Sequence, residues 1–180
     1  MRKLLVICSL LTLGLALFVS SNLRAQDKSK RPSPPAQAKF DLGGGATITI
    51  DYSSPRVKGR KIFGELVPYG QVWRTGANEA TTFVTSVDLT VGGAKVPAGS
   101  YTLFTIPDKD KWTLIISKKT GEWGTNYPGP SEDLVRVEMK ASSLPKSVED
   151  FTISFDKTGA GATLNFDWDT TRASVAITKK

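Results

Sequence analysis

The chain has 180 residues, 24 basic and 17 acidic side chains for a formal charge of +7, one cysteine and no histidine. Without histidine there is no Ser-His-Asp triad, no imidazole acid–base chemistry and almost no route to a transition-metal site. Any metal would be a hard cation held by oxygens and any general acid or base an Asp, Glu, Lys or Tyr; we assign no metal, no cofactor and no catalytic residue from the sequence.

Arg2 and Lys3 precede an uncharged apolar run, Leu4 to Val19, after which Ser20, Ser21, Asn22, Leu23, Arg24 and Ala25 turn polar. A basic start, an apolar stretch and a small residue at the cleavage position make residues 1–25 a secretory signal peptide. The run is about 16 residues, short of the roughly 20 that span a bilayer, so no stable membrane insertion is expected after cleavage. Cys8 follows four apolar residues, too few for a lipoprotein signal, whose apolar region takes about 7–15. The mature protein is thus expected in the periplasm or outside the cell, where disulfides are permitted and this chain uses none. Its roughly 155 residues suffice for stability by burial, hiding about 68–70% of the unfolded surface.

Loss of Arg2, Lys3 and Arg24 with the signal lowers the charge from +7 to +4. Lys28, Lys30, Arg31, Lys179 and Lys180 sit near the ends, so the folded body is near neutral and carries no footprint for nucleic acid. Residues 26–38 hold Pro32, Pro34 and Pro35 and no large apolar side chain. They cannot bury enough surface to offset ordering and read as a disordered tether, with a single domain over 39–180.

From Phe40 the pattern becomes β. Ile48, Ile50 and Tyr52 alternate with polar residues, and Phe83 to Val91 alternates throughout. Gly92-Gly93 signals a hairpin. Pro97-Ala98-Gly99 and Pro107 to Asp110 turn the chain into further strands, in the second of which Trp112, Leu114 and Ile116 share a face. Val135/Val137/Met139, Phe151/Ile153/Phe155, Leu164/Phe166/Trp168 and Val175/Ile177 continue the two-residue period. Eight or nine short strands with turn signals every 8–12 residues predict an all-β, antiparallel β-sandwich; jelly-roll and immunoglobulin-like orders are not distinguishable.

Ser53 to Ala80 interrupts this pattern for 28 residues. Loops of that length inside a domain are uncommon and often functional. Ile62 to Val67 suits one helical turn and Val72 to Arg74 a short strand. Arg56, Lys58, Arg60, Lys61 and Arg74 are interleaved with Phe63, Tyr69 and Trp73. Arg74 offers a planar fork of donors for a carboxylate or phosphate, Asn78 donates and accepts, and Glu79 accepts or shuttles a proton. Arg60, Arg74, Asn78 and Glu79 are expected to converge on one concavity flanked by Trp73. The same residues equally suit a closed network, an Arg74–Glu79 pair pinning the loop. A second loop, Gly121 to Asp133, presents Trp123 and Tyr127 as a stacking platform or as cover for the end of the core.

Tyr52-Ser-Ser-Pro-Arg56, Ile62-Phe-Gly64, Leu66-Val-Pro-Tyr-Gly70, Val72-Trp-Arg-Thr-Gly-Ala-Asn-Glu-Ala-Thr81 and Pro97-Ala-Gly-Ser-Tyr101 form a long, specific string. With Trp112-Thr113, Trp123-Gly124 and Thr171-Arg172 it resembles an exported bacterial family catalogued as domain of unknown function 2911, over about residues 40–178. The resemblance implies a secreted or periplasmic domain of Gram-negative bacteria with no assigned activity, and it carries over no catalytic residue.

Three functions fit these residues. The first is a non-catalytic module that binds a small molecule, sugar or peptide through Arg60, Trp73, Arg74, Asn78, Glu79, Trp123 and Tyr127. The second is a hydrolase-like enzyme with Glu79 as acid or base and Arg74 as anion stabiliser; no second carboxylate lies close in sequence, as glycoside hydrolysis usually needs. The third is a structural protein with envelope-protein partners.

Overall fold

The computed structural model describes residues 27–180; the stretch 1–25 expected to be a signal peptide, with Cys8, lies outside the described residues. Nine strands are present: β1 Pro35–Gly43, β2 Ala46–Ser53, β3 Thr81–Thr85, β4 Leu89–Val91, β5 Ala94–Val96, β6 Gly99–Ile106, β7 Lys111–Ser117, β8 Asp133–Thr158 and β9 Gly161–Lys179. Single 3-10 turns at Lys28–Lys30 and Pro130–Glu132 complete the described secondary structure. The domain is all-β and antiparallel, as the period-2 runs predict. All nine strands join one sheet in the order β1-β2-β3-β6-β7-β8-β9-β4-β5, which leaves β1 and β5 as edges and does not close into a barrel.

The two layers come from one sheet folded over itself. β8 breaks register between Ser143 and Val148 and again before Thr152, and such irregularities bend a strand and raise its twist. Beyond the bend, the far arm of β8 and β9 faces β1 and β2. Tyr52 meets Phe151 edge-on at 5.7 Å, Phe40 meets Phe155 at 5.4 Å, and the Tyr52 hydroxyl accepts from the Ile153 amide at 3.1 Å. Ile48, Ile50, Phe83, Leu103, Leu114 and Met139 from one layer thereby share a core with Phe151, Ile153, Leu164, Phe166 and Trp168 from the other.

Four expectations about the chain path are corrected. The alternating run Phe83 to Val91 is two strands: Thr85 Oγ1 donates to the Val87 carbonyl at 2.7 Å, the chain turns, and β4 pairs with β9 in the other layer. The runs at 135–139 and 151–155 are one long strand, because a bulged strand keeps its alternation across the bend. In the segment read as a tether, Pro35–Ala38 begin β1, paired from Pro35 with Ser53 to Ala38 with Ile50. Backbone pairing along the β2 edge orders this stretch without large side chains. Ile62–Val67 makes a tight loop instead of a helical turn, with the Val67 amide on the Ile62 carbonyl and the Gly64 amide on the Val67 carbonyl, each at 2.9 Å.

The 28-residue excursion is a lid on the open end of the folded sheet. It inserts Ile62, Phe63 and Val67 into the core. Backbone bonds tie it to β8 (Val57 amide to Glu149, Phe151 amide to Pro55, each 2.9 Å) and to the end of β6 (Gly70 amide to Pro107, 2.9 Å). As predicted for Val72 to Arg74, Trp73 forms a one-residue strand contact, exchanging both backbone bonds with Thr105 at 2.7 and 2.9 Å.

Candidate functional site

Trp73 anchors the site. Its ring stacks on Trp168 at 5.6 Å and meets Phe151 edge-on at 5.0 Å, while its Nε1 donates to the Gly76 carbonyl at 3.0 Å. The next residues are held equally firmly. Thr75 is fully buried with φ 54°, a left-handed conformation that a β-branched residue seldom adopts. Thr81 Oγ1 donates to the Thr75 carbonyl at 2.7 Å, and the Ala77 amide donates to the Ser53 carbonyl at 3.1 Å. Gly76 passes so close to β2 that a Cβ there would lie 2.9 Å from the Ser53 carbonyl oxygen. Backbone strain of this kind persists where the surroundings over-determine it, and it clusters at functional sites. Here it fixes the direction of Arg74.

Arg74 lines a cavity of about 340 Å³ together with Arg60, Trp73, Trp168, Gln71, Ser33 and Thr125, and with apolar walls from Pro55, Leu66, Val67, Pro68, Val72 and Ala77. No carboxylate borders it. Arg74 makes no side-chain hydrogen bond or ion pair among the described residues, and its Nε is buried without a partner. Burial pulls the guanidinium below its ordinary pKa, although an arginine keeps its charge. Every other described arginine is engaged: Arg31 by Glu79, Arg56 by Asp150, Arg60 by the Val57 and Arg56 carbonyls, Arg136 by Asp133 and Arg172 by Asp167.

Of the residues singled out from sequence, Arg60, Trp73 and Arg74 come together at this cavity, and Asn78, Glu79, Trp123 and Tyr127 are not among its lining residues. The expected four-residue convergence is therefore not formed, and neither is the Arg74–Glu79 pair. Glu79 instead receives Arg31 Nη1 at 3.0 Å and Lys28 Nζ at 3.0 Å, and it borders a smaller, separate hollow with Lys28, Pro35 and Thr82. Partial burial raises its pKa, but bonds from its own backbone amide, Lys28 and Arg31 outweigh that and hold it at about 2. Asn78, also left-handed at φ 55°, donates from Nδ2 to the Ser33 carbonyl at 3.0 Å. Asn78 and Glu79 thus fasten the N-terminal segment beside the cavity.

Tyr127 is enclosed. Its hydroxyl donates to Asp133 at 2.8 Å and accepts from Arg136 at 2.7 Å, and its ring packs on Phe104 at 5.2 Å. Trp123 is 55% exposed, and its backbone pairs with Glu79; Tyr127's hydroxyl and ring are already engaged, so no two-ring platform is built. Sequence reasoning missed Trp168, whose place in a strand alternation marks it as core, and Ser33, hidden in the segment read as tether. It also missed Thr125, the one member of the second loop that reaches the cavity. The described residues hold no group of three or more Cys, Asp or Glu arranged for a metal.

A family model described as protein of unknown function (DUF2911) matches residues 33–177. The chain belongs to this family. Every residue lining the Arg74 cavity, Ser33 through Trp168, falls within the DUF2911 match, whereas Lys28 and Arg31, the partners of Glu79, fall before it. No curated protein and no solved structure matches the chain.

Proposed function

We propose that the domain is an exported, non-catalytic binding module that takes an anionic small molecule in the Arg60–Arg74 cavity. The observation that carries this reading is the unpartnered Arg74 guanidinium. A partly buried cation left without a counter-charge is unusual where the protein could supply one, and this fold supplies a carboxylate or carbonyl to each of its other described arginines. A mostly apolar concavity with a few convergent polar groups and a perturbed ionisable residue has the character of a ligand site, and its volume lies at the small end of the usual 300–1,000 Å³.

The hydrolase-like alternative draws little support. A general acid or base works best with a pKa near the operating pH, whereas Glu79 is held at about 2 and faces a different hollow from Arg74. Export rests on the basic start and apolar run of residues 1–25.

The decisive experiment is a thermal-shift and fluorescence screen of the purified protein against matched anionic and neutral compounds, repeated on Arg74→Met. Anions that stabilise wild type and lose their effect in the variant are expected; hits indifferent to Arg74, or none, would overturn the reading. Intact-mass measurement on material recovered outside the cytoplasm should give a chain starting near Gln26, and a mass retaining residues 1–25 would refute cleavage.

A further inference from the structure

Three side-chain polar atoms are buried without a partner among the described residues: Arg74 Nε, Trp112 Nε1 and Trp168 Nε1. All three are donors, and two of the three residues line the same cavity. The cavity lining holds two guanidinium groups and no carboxylate. A sugar, whose hydroxyls donate as well as accept, meets no carboxylate in this lining.

The number of free donors narrows the class further. Arg60 has committed Nε and Nη2 to the carbonyls of Val57 and Arg56, so Arg74 is the one guanidinium in the cavity with both Nη groups uncommitted, and these form its fork. One fork matches the two oxygens of one carboxylate. A phosphate group presents three terminal oxygens and nearly two charges, and it is usually met by a helix N-terminus or a nest of backbone amides. The described chain has no helix longer than a 3-10 turn. Beyond the fork most of the wall is apolar and aromatic, from Val67, Pro68, Val72, Trp73 and Trp168, and Ser33, Gln71 and Thr125 are its uncharged polar side chains. Resting on the binding reading above, we infer that the ligand is a compact monocarboxylate on an apolar body, its carboxylate on Arg74 and its body against the tryptophan wall. A free carboxylic acid and the C-terminal residue of a peptide share that chemistry.

Indole fluorescence and isothermal titration of the full protein test this with five probes: phenylacetate, N-acetylphenylalanine, phenylacetamide, phenyl phosphate and inorganic phosphate. Phenylacetate or N-acetylphenylalanine should bind and change the indole emission, and whichever binds more tightly identifies the source as free acid or peptide end. Phenylacetamide, the neutral isostere, should bind at least tenfold more weakly. Arg74→Gln should lower carboxylate affinity at least tenfold. Leu66→Asp, at a 46% exposed wall position where folding is not at risk, should weaken it as well by setting a rival carboxylate at the cavity. Phenyl phosphate or inorganic phosphate binding more tightly than the carboxylates, with the same dependence on Arg74, would overturn the carboxylate class and leave the anion-binding reading standing. Binding of phenylacetate and phenylacetamide with equal affinity, unchanged in Arg74→Gln, would overturn both.

Discussion

Arg172 and Arg74 present the same guanidinium to the same domain and are met in opposite ways. Arg172, on β9, closes a bidentate pair with Asp167, Nε to Oδ1 at 2.7 Å and Nη2 to Oδ2 at 2.6 Å. Asp167's hydrogen bonds raise the pKa of Arg172, whereas burial alone lowers that of Arg74. One charge is spent on holding a strand. The other is held rigidly by Trp73, Thr75 and Gly76 and given no partner. On the proposed reading, stability and recognition are separated between two arginines, and each can be removed independently of the other.

The largest expected effect breaks the closed pair. Arg172→Ala leaves Asp167, 7% exposed, without its counter-charge and should cost about 3 kcal/mol, the low end for a buried pair because Arg172 is partly open to water. Arg74→Met removes a partly desolvated charge that no protein group pairs and keeps the stem's apolar contacts. It should change stability by less than about 0.5 kcal/mol, or raise it slightly, while abolishing ligand binding. Urea midpoints of the two variants beside wild type measure the contrast. An Arg74→Met loss as large as that of Arg172→Ala would mean that Arg74 is a structural anchor.

A second variant acts on the frame that aims Arg74. Gly76→Ala places a methyl group 2.9 Å from the Ser53 carbonyl oxygen and 3.1 Å from Thr81 Oγ1. The first obstacle is backbone in the paired strand β2 and cannot swing away. A cost of about 2 kcal/mol is expected from overpacking, together with weaker ligand binding because Arg74 is redirected. Full affinity in a Gly76→Ala protein that is destabilised would show that the site tolerates the shift and that the strain at Thr75 has no part in positioning.

The difference between these regions also marks what the sequence made legible. Strands with a strict two-residue period, such as Ile48/Ile50/Tyr52 and Trp112/Leu114/Ile116, can be read directly because one face is buried. The bend in β8 cannot, since a bulged strand keeps its alternation on both sides. Pro35–Ala38 escape detection for another reason: a strand held by backbone pairing need not carry large apolar residues. At the site, Arg60, Trp73 and Arg74 stand out by chemistry. The partner of each charge is set by long-range geometry, and for Glu79 it comes from Lys28 and Arg31, 51 and 48 residues away. Sequence proximity favours Arg74 as that partner, but the chain between Arg74 and Glu79 turns through two left-handed residues, Thr75 and Asn78.

The smallest effect concerns that N-terminal clamp, and it depends on pH. Glu79 has a folded-state pKa of about 2 against an ordinary value of 4.5. A lowered carboxyl pKa means that the folded state favours the ionised form, so the stabilisation is fully present above about pH 4.5 and disappears as pH falls towards 2. The Glu79 side chain is 37% exposed and that of Lys28 57%, so solvent screening leaves roughly 1 kcal/mol of the interaction. Glu79→Gln should therefore be about 1 kcal/mol less stable than wild type at pH 6, with the gap narrowing through pH 4 and 3 and vanishing near 2. Ligand affinity at pH 6 should change less than threefold in Glu79→Gln, because the carboxylate is not part of the Arg74 cavity. A tenfold loss of affinity would place the clamp within the binding site and merge the two regions that the geometry keeps apart.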